Sequence, residues 1–452
     1  MARHDLNKLQ GLGSFLRQFF TVITSLTMRN LIFPALVLAS GVIAKATLDH
    51  HASAFQGSIW SARDNITLSR EFQPSAERHS YDLSYKNPKK WVNWHKFKAN
   101  GVNLGGWFLQ EHVIDQEWWD SVAPNATDEW TLCQQLGEQC GPVMEKRYAS
   151  WITTADVDKM ASVNVNVLRI PVSYSVWVDV PGSQLYHGTQ RDYLNAIAMY
   201  AIETYNMHIV LSLHNLPGGT NNLEIGEAVG HNAWWGNQTN LDWSYKAVDT
   251  MLAWIQETGH LSSFTISPIN EPADNPTEFA SAAGMTASGI EWLQKYFNGC
   301  LERIAQVDKR IPLMIQDAFQ GASFWSPRFS KSANIAIDTH IYFFASPNAT
   351  SINVPDGLCK QVPDAAGDGK FPVYIGEYSV QSHWNNTLAG RKTVFDTWRY
   401  VSMSHMQGLS FWSWKFTTRS EIDGEGTLKD YWSYEDMIDD GVITTETTDS
   451  YC

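Results

Sequence analysis

Cysteine is scarce in this chain: five residues in 452. An odd count cannot pair completely within one chain, so at least one of Cys133, Cys140, Cys300, Cys359 and Cys452 is free or pairs between chains. Cys133 and Cys140 do not form a C-x-x-C pair, and the histidines show no HExxH or related cluster, so no metal is assigned. Basic charge is also short, with 33 Lys and Arg against 47 Asp and Glu and a net charge of −14. Nucleic acid and anionic membrane surfaces need a basic footprint, so neither is the expected main partner. A comfortable membrane span is missing as well. The apolar run Leu31 to Ala44 is shorter than the roughly 20 residues that a span requires, but it suits the apolar region of a signal peptide.

That run ends in Ala44-Lys45-Ala46, a small-x-small cleavage pattern, and a start at Met28 would give a signal of ordinary proportions. An uncleaved signal anchor is the alternative, helped by a second apolar patch from Phe15 to Leu26. Both readings place the body of the protein outside the cytosol, secreted or in the cell wall in one case and membrane-anchored in the other. The sequons at Asn65, Asn125, Asn237, Asn348 and Asn385 agree with that setting.

Aromatic residues are abundant, with 20 Trp and 17 Tyr. Their flat faces can stack on the C–H faces of sugars, although most belong to a core. Two glutamates carry the strongest chemical signal. Glu271 ends Phe264-Thr-Ile-Ser-Pro-Ile-Asn-Glu-Pro272, and Glu377 ends Pro372-Val-Tyr-Ile-Gly-Glu-Tyr378. An apolar run followed at once by a carboxylate reads as a buried strand opening into a site. Two such carboxylates on opposite sides of a sugar can supply a proton and a nucleophile. An isolated Glu in this position would more simply cap a loop or pair with an Arg.

From about residue 91 a strand-then-helix rhythm begins. Expected strands are 98–103, 165–170, 208–213, 264–269, 312–316, 335–339, 373–376 and 409–412. Between the second and third, Leu194, Ile197, Ala198, Ala201, Ile202 and Tyr205 form one helical stripe. Eight strands alternating with helices predict an α/β fold, a (β/α)8 TIM barrel over 91–452, whose reactive groups sit where strands end. Residues 47–90 are polar and irregular, a stalk or propeptide-like segment after the signal at 1–46. The stretch 215–243 is too polar for an element and is expected to be a loop over the site.

Polar residues collect at the predicted strand ends: Asn103 and Glu111, Arg169, His214 and Asn215, Asn270 and Glu271, Asp317, His340 and Tyr342, Glu377, and Trp412. Barrel interiors favour branched apolar side chains, so such a ring is costly unless it pairs internally or serves chemistry. Gly101-Val-Asn-Leu-Gly-Gly-Trp107 with Glu111, Leu168-Arg-Ile-Pro171, Leu213-His214, Asn270-Glu-Pro272, Asp317-Ala-Phe-Gln320, His340-Ile-Tyr342, Gly376-Glu377 and Phe411-Trp-Ser-Trp-Lys415 occur in that order. In these motifs, from about residue 90 onward, the chain resembles glycoside hydrolase family 5, and within it the fungal exo-β-1,3-glucanases.

The resemblance implies Glu271 as acid/base and Glu377 as nucleophile in a retaining, double-displacement hydrolysis of β-glucan, with no cofactor. Arg169 and Tyr342 are expected to hold Glu377, and Asn270 to grip the sugar 2-hydroxyl. His214 and His340 are expected to line the floor, Trp412 to stack, and Glu111 to accept hydrogen bonds from the terminal sugar. It also implies a Cys359–Cys452 bridge, with Cys300 left as a buried free thiol. Two departures leave linkage and mode of attack open: Asn-Leu-Pro-Gly-Gly follows His214 where relatives usually have Gly-Ala-Pro-Gly, and His112 stands where they usually carry Pro. An endo-β-1,6-glucanase, which Ser150-Trp-Ile-Thr-Thr154 and Asp156 resemble, is one alternative; a carbohydrate-binding wall protein without catalysis is another. Trp234, Trp235 and Trp243 would wall off one end of an exo-acting cleft.

Overall fold

Short apolar runs bounded by polar or glycine-rich segments pair in this chain as eight parallel strands. They are β1 (Ala99–Asn103), β2 (Val167–Val172), β3 (His208–Leu213), β4 (Phe264–Ser267), β5 (Leu313–Gln316), β6 (Ile335–His340), β7 (Val373–Tyr378) and β8 (Gly408–Phe411). In the computed structural model, which describes residues 91–445 and Cys452, they close in sequence order into a barrel, β8 returning to β1. The expected (β/α)8 TIM barrel is therefore the fold, and each expected strand is present with small shifts at its ends. Every strand residue is buried, as a parallel sheet covered by helices outside and packed within demands. The signal or anchor at 1–46 and the stalk at 47–90 lie outside the described residues. Among the described residues no helix is long and apolar enough to cross a membrane.

Strand side chains alternate between the two faces, and that parity builds the site. Ala99, Val167, Val210, Met314, Ala336 and Tyr374 form one apolar interior layer plugged by Trp94. Two residues further along the same strands stand Gly101, Arg169, Ser212, Gln316, Asp338 and Gly376, so the layer above is polar. Glu377 has the opposite parity to Tyr374. A register shift between β6 and β7 corrects this, taking Thr339 opposite Ile375 but His340 opposite Glu377. Gly376 permits the crowding there, because a Cβ on it would lie 2.0 Å from Asp338 Oδ1.

Helices cover the barrel as their stripes predict. The helix Gln190–Tyr205 buries Leu194, Ile197, Ala198, Ala201 and Ile202 and stops at Asn206, which takes a left-handed φ of 59°. Tyr205, expected in the stripe, is instead 40% exposed with its hydroxyl 2.7 Å from Asp158. The stretch 215–243 also departs from expectation, since a helix already starts at Gln238, capped by Asn237, and contains Trp243. Ser150-Trp-Ile-Thr-Thr154 and Asp156 have a structural role here: Thr153 and Asp156 form a reciprocal helix cap. Asp156 Oδ1 also takes Lys415 Nζ at 2.7 Å and Trp414 Nε1 at 2.9 Å, fixing the segment after β8.

Cys359, on the helix Val354–Ala365, is bonded to Cys452, and Cys300 is a buried free thiol, both as expected. A second bridge, Cys133–Cys140, was not anticipated. The two close loops of 93 and 7 residues, and a longer loop loses more chain entropy when closed. Cys359→Ser with Cys452→Ser is expected to lower unfolding free energy by about 2–4 kcal/mol. Cys133→Ser with Cys140→Ser should cost less. Denaturant unfolding of the two double variants checks the order.

Candidate active site

Arg169, on β2, is the centre of the polar layer and is fully buried. Its Nη1 donates to Glu377 Oε1 at 2.7 Å and to Asn103 Oδ1 at 2.9 Å, while Nη2 donates to Asn270 Oδ1 at 2.9 Å and Asp338 Oδ2 at 3.3 Å. Removing a guanidinium from water costs several kcal/mol, which only close, well-oriented partners offset. Burial pulls its pKa down, but Asp338 and Glu377 overcome that and leave it raised. One planar fork thus fixes side chains from β1, β6, β7 and the end of β4.

Glu377 is held from two directions, because Tyr342 donates its hydroxyl to Oε2 at 3.0 Å while Arg169 occupies Oε1. Glu271 faces it across the barrel mouth. One ligand atom each from Glu271, His340 and Glu377 lie within 4.8 Å of one another. The backbone of Glu271 has a φ of 41°, a conformation that costs a non-glycine residue roughly 1 kcal/mol or more and clusters at functional sites. Asn221 Nδ2, donating to its carbonyl oxygen at 3.0 Å, holds that turn.

The surroundings separate the protonation states. Burial raises the Glu271 pKa and Glu377 adds to the rise, against the opposing pull of His340 and Arg169. Glu271 Oε1 meets His340 Nδ1 at 2.8 Å, and Oε2 has no hydrogen-bond partner among the described residues, so a proton on this carboxyl belongs on Oε2. Burial alone would depress His340, but Glu377 and Asp338 with the bond to Glu271 lift it to about 10, making it an imidazolium. His214 goes the other way: burial, then Arg169 and His340, push it well below the usual histidine range. Since Arg169 Nη1, 3.3 Å away, can only donate, His214 Nε2 accepts and its proton sits on Nδ1, which has no partner among the described residues. A cation held by Glu271, His340 and Glu377 would have to displace the His340 proton and sit beside Arg169.

Trp412 and His214 stack with centroids 5.6 Å apart and an interplanar angle of 17°, forming one flat wall. Glu111 lies in the same electrostatic neighbourhood. Burial, then Glu224, Glu377 and Glu271, raise its pKa well above its ordinary value, and its buried Oε1 has no partner among the described residues. A protonated Glu111 can donate to a hydroxyl as well as accept from one, which widens the role expected from sequence.

All nine expected site residues therefore gather at one end of the barrel. Of the aromatic wall expected from Trp234, Trp235 and Trp243, Trp235 reaches the turn beside Ala273, its Nε1 donating to Thr220 O at 3.0 Å, and the other two lie elsewhere. Trp234 is fully buried against Trp292 and Tyr296, packing between helices, and Trp243 belongs to the helix that follows. Within the stretch 215–243 the turn 220–226 is tied to the segment after Glu271. Ile225 packs with Leu109, Ala273 and Phe279, and Ala273 N donates to Thr220 O at 3.0 Å. Burial raises partly buried Glu224, on that turn, to about 7. Sequence reading missed Glu224, Asn221 and Asp338. Two-residue parity from Ala336 would have found Asp338; nothing local marks the other two.

Glu129 anchors the segment bearing Glu111, its Oε2 accepting Gln110 N at 2.7 Å. Burial raises Glu129 from 4.5 to about 8, against the opposing Gln110 bond. The folded state therefore binds this proton more tightly than the unfolded chain, so its stabilising contribution is complete below pH 4.5 and lost as pH rises through about 8. Glu129→Gln keeps the bond without the charge. Its melting temperature should fall less than that of the parent chain across that window.

The family model described as cellulase (glycosyl hydrolase family 5) matches residues 128–419. Among solved structures, a rutinosidase from Aspergillus niger is 45% identical, with a TM-score of 0.77, covering 78% of this chain and 100% of its own. Among curated proteins, a probable glucan 1,3-beta-glucosidase A of Aspergillus niger is 28% identical over 285 residues, covering 62% of this chain and 65% of that relative. Glucan 1,3-beta-glucosidase 1 of Schizosaccharomyces pombe is 26% identical over 333 residues, covering 70% of this chain and 74% of that relative. The chain thus spans just under two thirds of the first of these curated relatives.

Proposed function

The chain belongs to glycosyl hydrolase family 5 and is a glycoside hydrolase; from that premise we propose that it cleaves β-glycosides with retention, using Glu377 as nucleophile and Glu271 as acid and then base. The observation that carries this is the closeness of the two glutamates, with the chosen atoms no more than 4.8 Å apart. Retaining enzymes hold their carboxyls about 5–5.5 Å apart, whereas inverting ones need roughly 6.5–9.5 Å to seat a water. Glu377 Oε2 attacks the anomeric carbon while Glu271 Oε2 gives its proton to the leaving oxygen. Glu271 then takes a proton from water, which attacks the glycosyl-enzyme from the side just vacated.

The other groups act on the sugar or on these two. Arg169 and Tyr342 keep Glu377 in its attacking pose. Asn270, fixed through its Oδ1, turns its amide nitrogen to the 2-hydroxyl, and His214 Nδ1 donates to a neighbouring hydroxyl. Trp412 supplies the stacking face, and Glu111 with its neighbour Glu224 reads sugar hydroxyls. His340, as an imidazolium, steadies the negative charge that Glu271 acquires when it has delivered its proton.

For the substrate, the likeness to the rutinosidase, 45% identical along its whole length, favours a disaccharide β-glycoside of rutinoside type, released as an intact disaccharide. Exo-attack on β-1,3-glucan is the second reading, favoured by the curated glucan 1,3-beta-glucosidases. Its place is outside the cytosol in this reading, which the two disulfides support because they fit an oxidising compartment.

A rutinoside with a chromogenic aglycone and a β-1,3-glucan labelled at its reducing end, digested in parallel, separate the readings. Disaccharide from the first with little glucose from the second is the expected result. Early glucose with a long residual polymer would make exo-glucanase the activity. Early mid-length oligosaccharides would overturn both. In either digest the first-formed anomer is expected to be β, and an α product would sink the nucleophile assignment.

A further inference from the structure

Trp384 is the largest exposed aromatic among the described residues, at 47% exposure, and Ile352, two residues past the Thr350 that pairs with it, is 80% exposed. They stand on the loops after β7 and β6, the same two loops that lead away from Glu377 and Tyr342. Trp384 is held in place. Its backbone N–H donates to Ala349 O at 3.0 Å, its Nε1 to Pro347 O at 3.0 Å, and its ring meets His383 edge-on at 4.4 Å. Its polar atom is thus satisfied, and an apolar ring face remains open to water.

Two sequon asparagines bracket this ring. Asn348, in Asn348-Ala-Thr350, lies between the two carbonyls that Trp384 contacts, and Asn385, in Asn385-Asn-Thr387, is the next residue along the chain. Both asparagines are exposed, and neither side-chain amide makes a hydrogen bond to the described residues. The contrast with Asn386 is direct: it is buried, accepting from Ser382 N and donating to Ser382 O and Asp423 O.

We propose that Asn348 and Asn385 are N-glycan attachment sites whose first sugars cover the Trp384–Ile352 patch on the rim of the catalytic face. The proposal rests on the extracellular placement above. In the transfer, Asn Nδ2 bonds to C1 of the N-acetylglucosamine of a lipid-pyrophosphate-linked oligosaccharide. The C1–O bond to pyrophosphate breaks, the lipid pyrophosphate leaves with the electron pair, and the amide proton goes to the transferase base. The tether then confines a sugar whose C–H face matches the open indole face, so stacking incurs little further entropy cost.

The test uses the full chain secreted from a eukaryotic host, with glycopeptide mass spectrometry and hydroxyl-radical oxidation of Trp384 read before and after enzymatic removal of the glycans. Occupancy at both asparagines, with a several-fold rise in Trp384 oxidation after removal, is the expected result. Asn348→Gln with Asn385→Gln should reproduce that rise with activity on a small chromogenic glycoside unchanged. Occupied Asn65, Asn125 or Asn237 with bare Asn348 and Asn385 would overturn the proposal while leaving the extracellular reading intact; five bare sites would overturn both. Trp384 oxidation unaffected by glycan removal but suppressed by substrate would also overturn it and make the ring part of the substrate cleft.

Discussion

Glu377→Gln is expected to lower kcat by about 10⁴-fold or more on every substrate, because it removes the attacking atom itself. The amide keeps the shape, so the fold should persist. Glu271→Gln should behave differently. With an alkyl or sugar leaving group the loss should be severe, since the departing oxygen needs a proton. With a dinitrophenolate the first step should proceed and the second stall, leaving a glycosyl-enzyme visible by mass spectrometry. Azide, which needs no base, should restore turnover and yield a β-glycosyl azide. The pH profile carries the same assignment: activity is lost on the alkaline side as Glu271, whose pKa burial raises, gives up its proton. Glu271→Gln should remove that limb when the activated substrate is used. Equal losses on both substrate kinds would contradict the division of roles.

Arg169→Met is expected to cost about 3–5 kcal/mol of stability, because it takes from buried Asp338 and Glu377 the guanidinium that donates to both and leaves His340 alone to offset them. Removing a paired charge is worse than removing the pair. Arg169→Met combined with Asp338→Asn should therefore recover part of the stability in denaturant unfolding. Activity should not return with it, since Glu377 would still lack its 2.7 Å donor. Arg169→Lys keeps a charge but cannot span Asn103, Glu377, Asn270 and Asp338 at once. It should fold, and its kcat should fall by about 10²-fold through misplacement of Glu377, with KM changing less. A recovery of both stability and activity in the double variant would show that Arg169 supplies only bulk charge.

Much of this was legible in order along the chain. The eight strands were visible because fully buried parallel strands are continuous apolar runs, and their polar ends were visible because charge is out of place in such runs. Tyr205, Trp234 and Trp243 were misread for one reason: an apolar side chain in sequence does not say which surface it meets. Trp234 found the helices behind the barrel, and Tyr205 found Asp158. Glu224 was hidden because it lies in a polar stretch, where one more carboxylate carries no signal until the turn 220–226 is seated on Leu109 and Ala273.

The sequence by itself determined the barrel and the residues at its mouth, since burial pattern and strand period are local properties that each segment carries with it. The tertiary structure alone decided which atoms meet. By parity from Tyr374, Glu377 would point away from the interior; the register shift opposite His340 turns it inward, and only closure of β6 on β7 creates that shift. The upward shifts in the pKa values of Glu271 and His340 likewise arise only on closure. Both depend on the removal of water and on partners from other strands, and neither desolvation nor a cross-barrel distance exists in an unfolded chain.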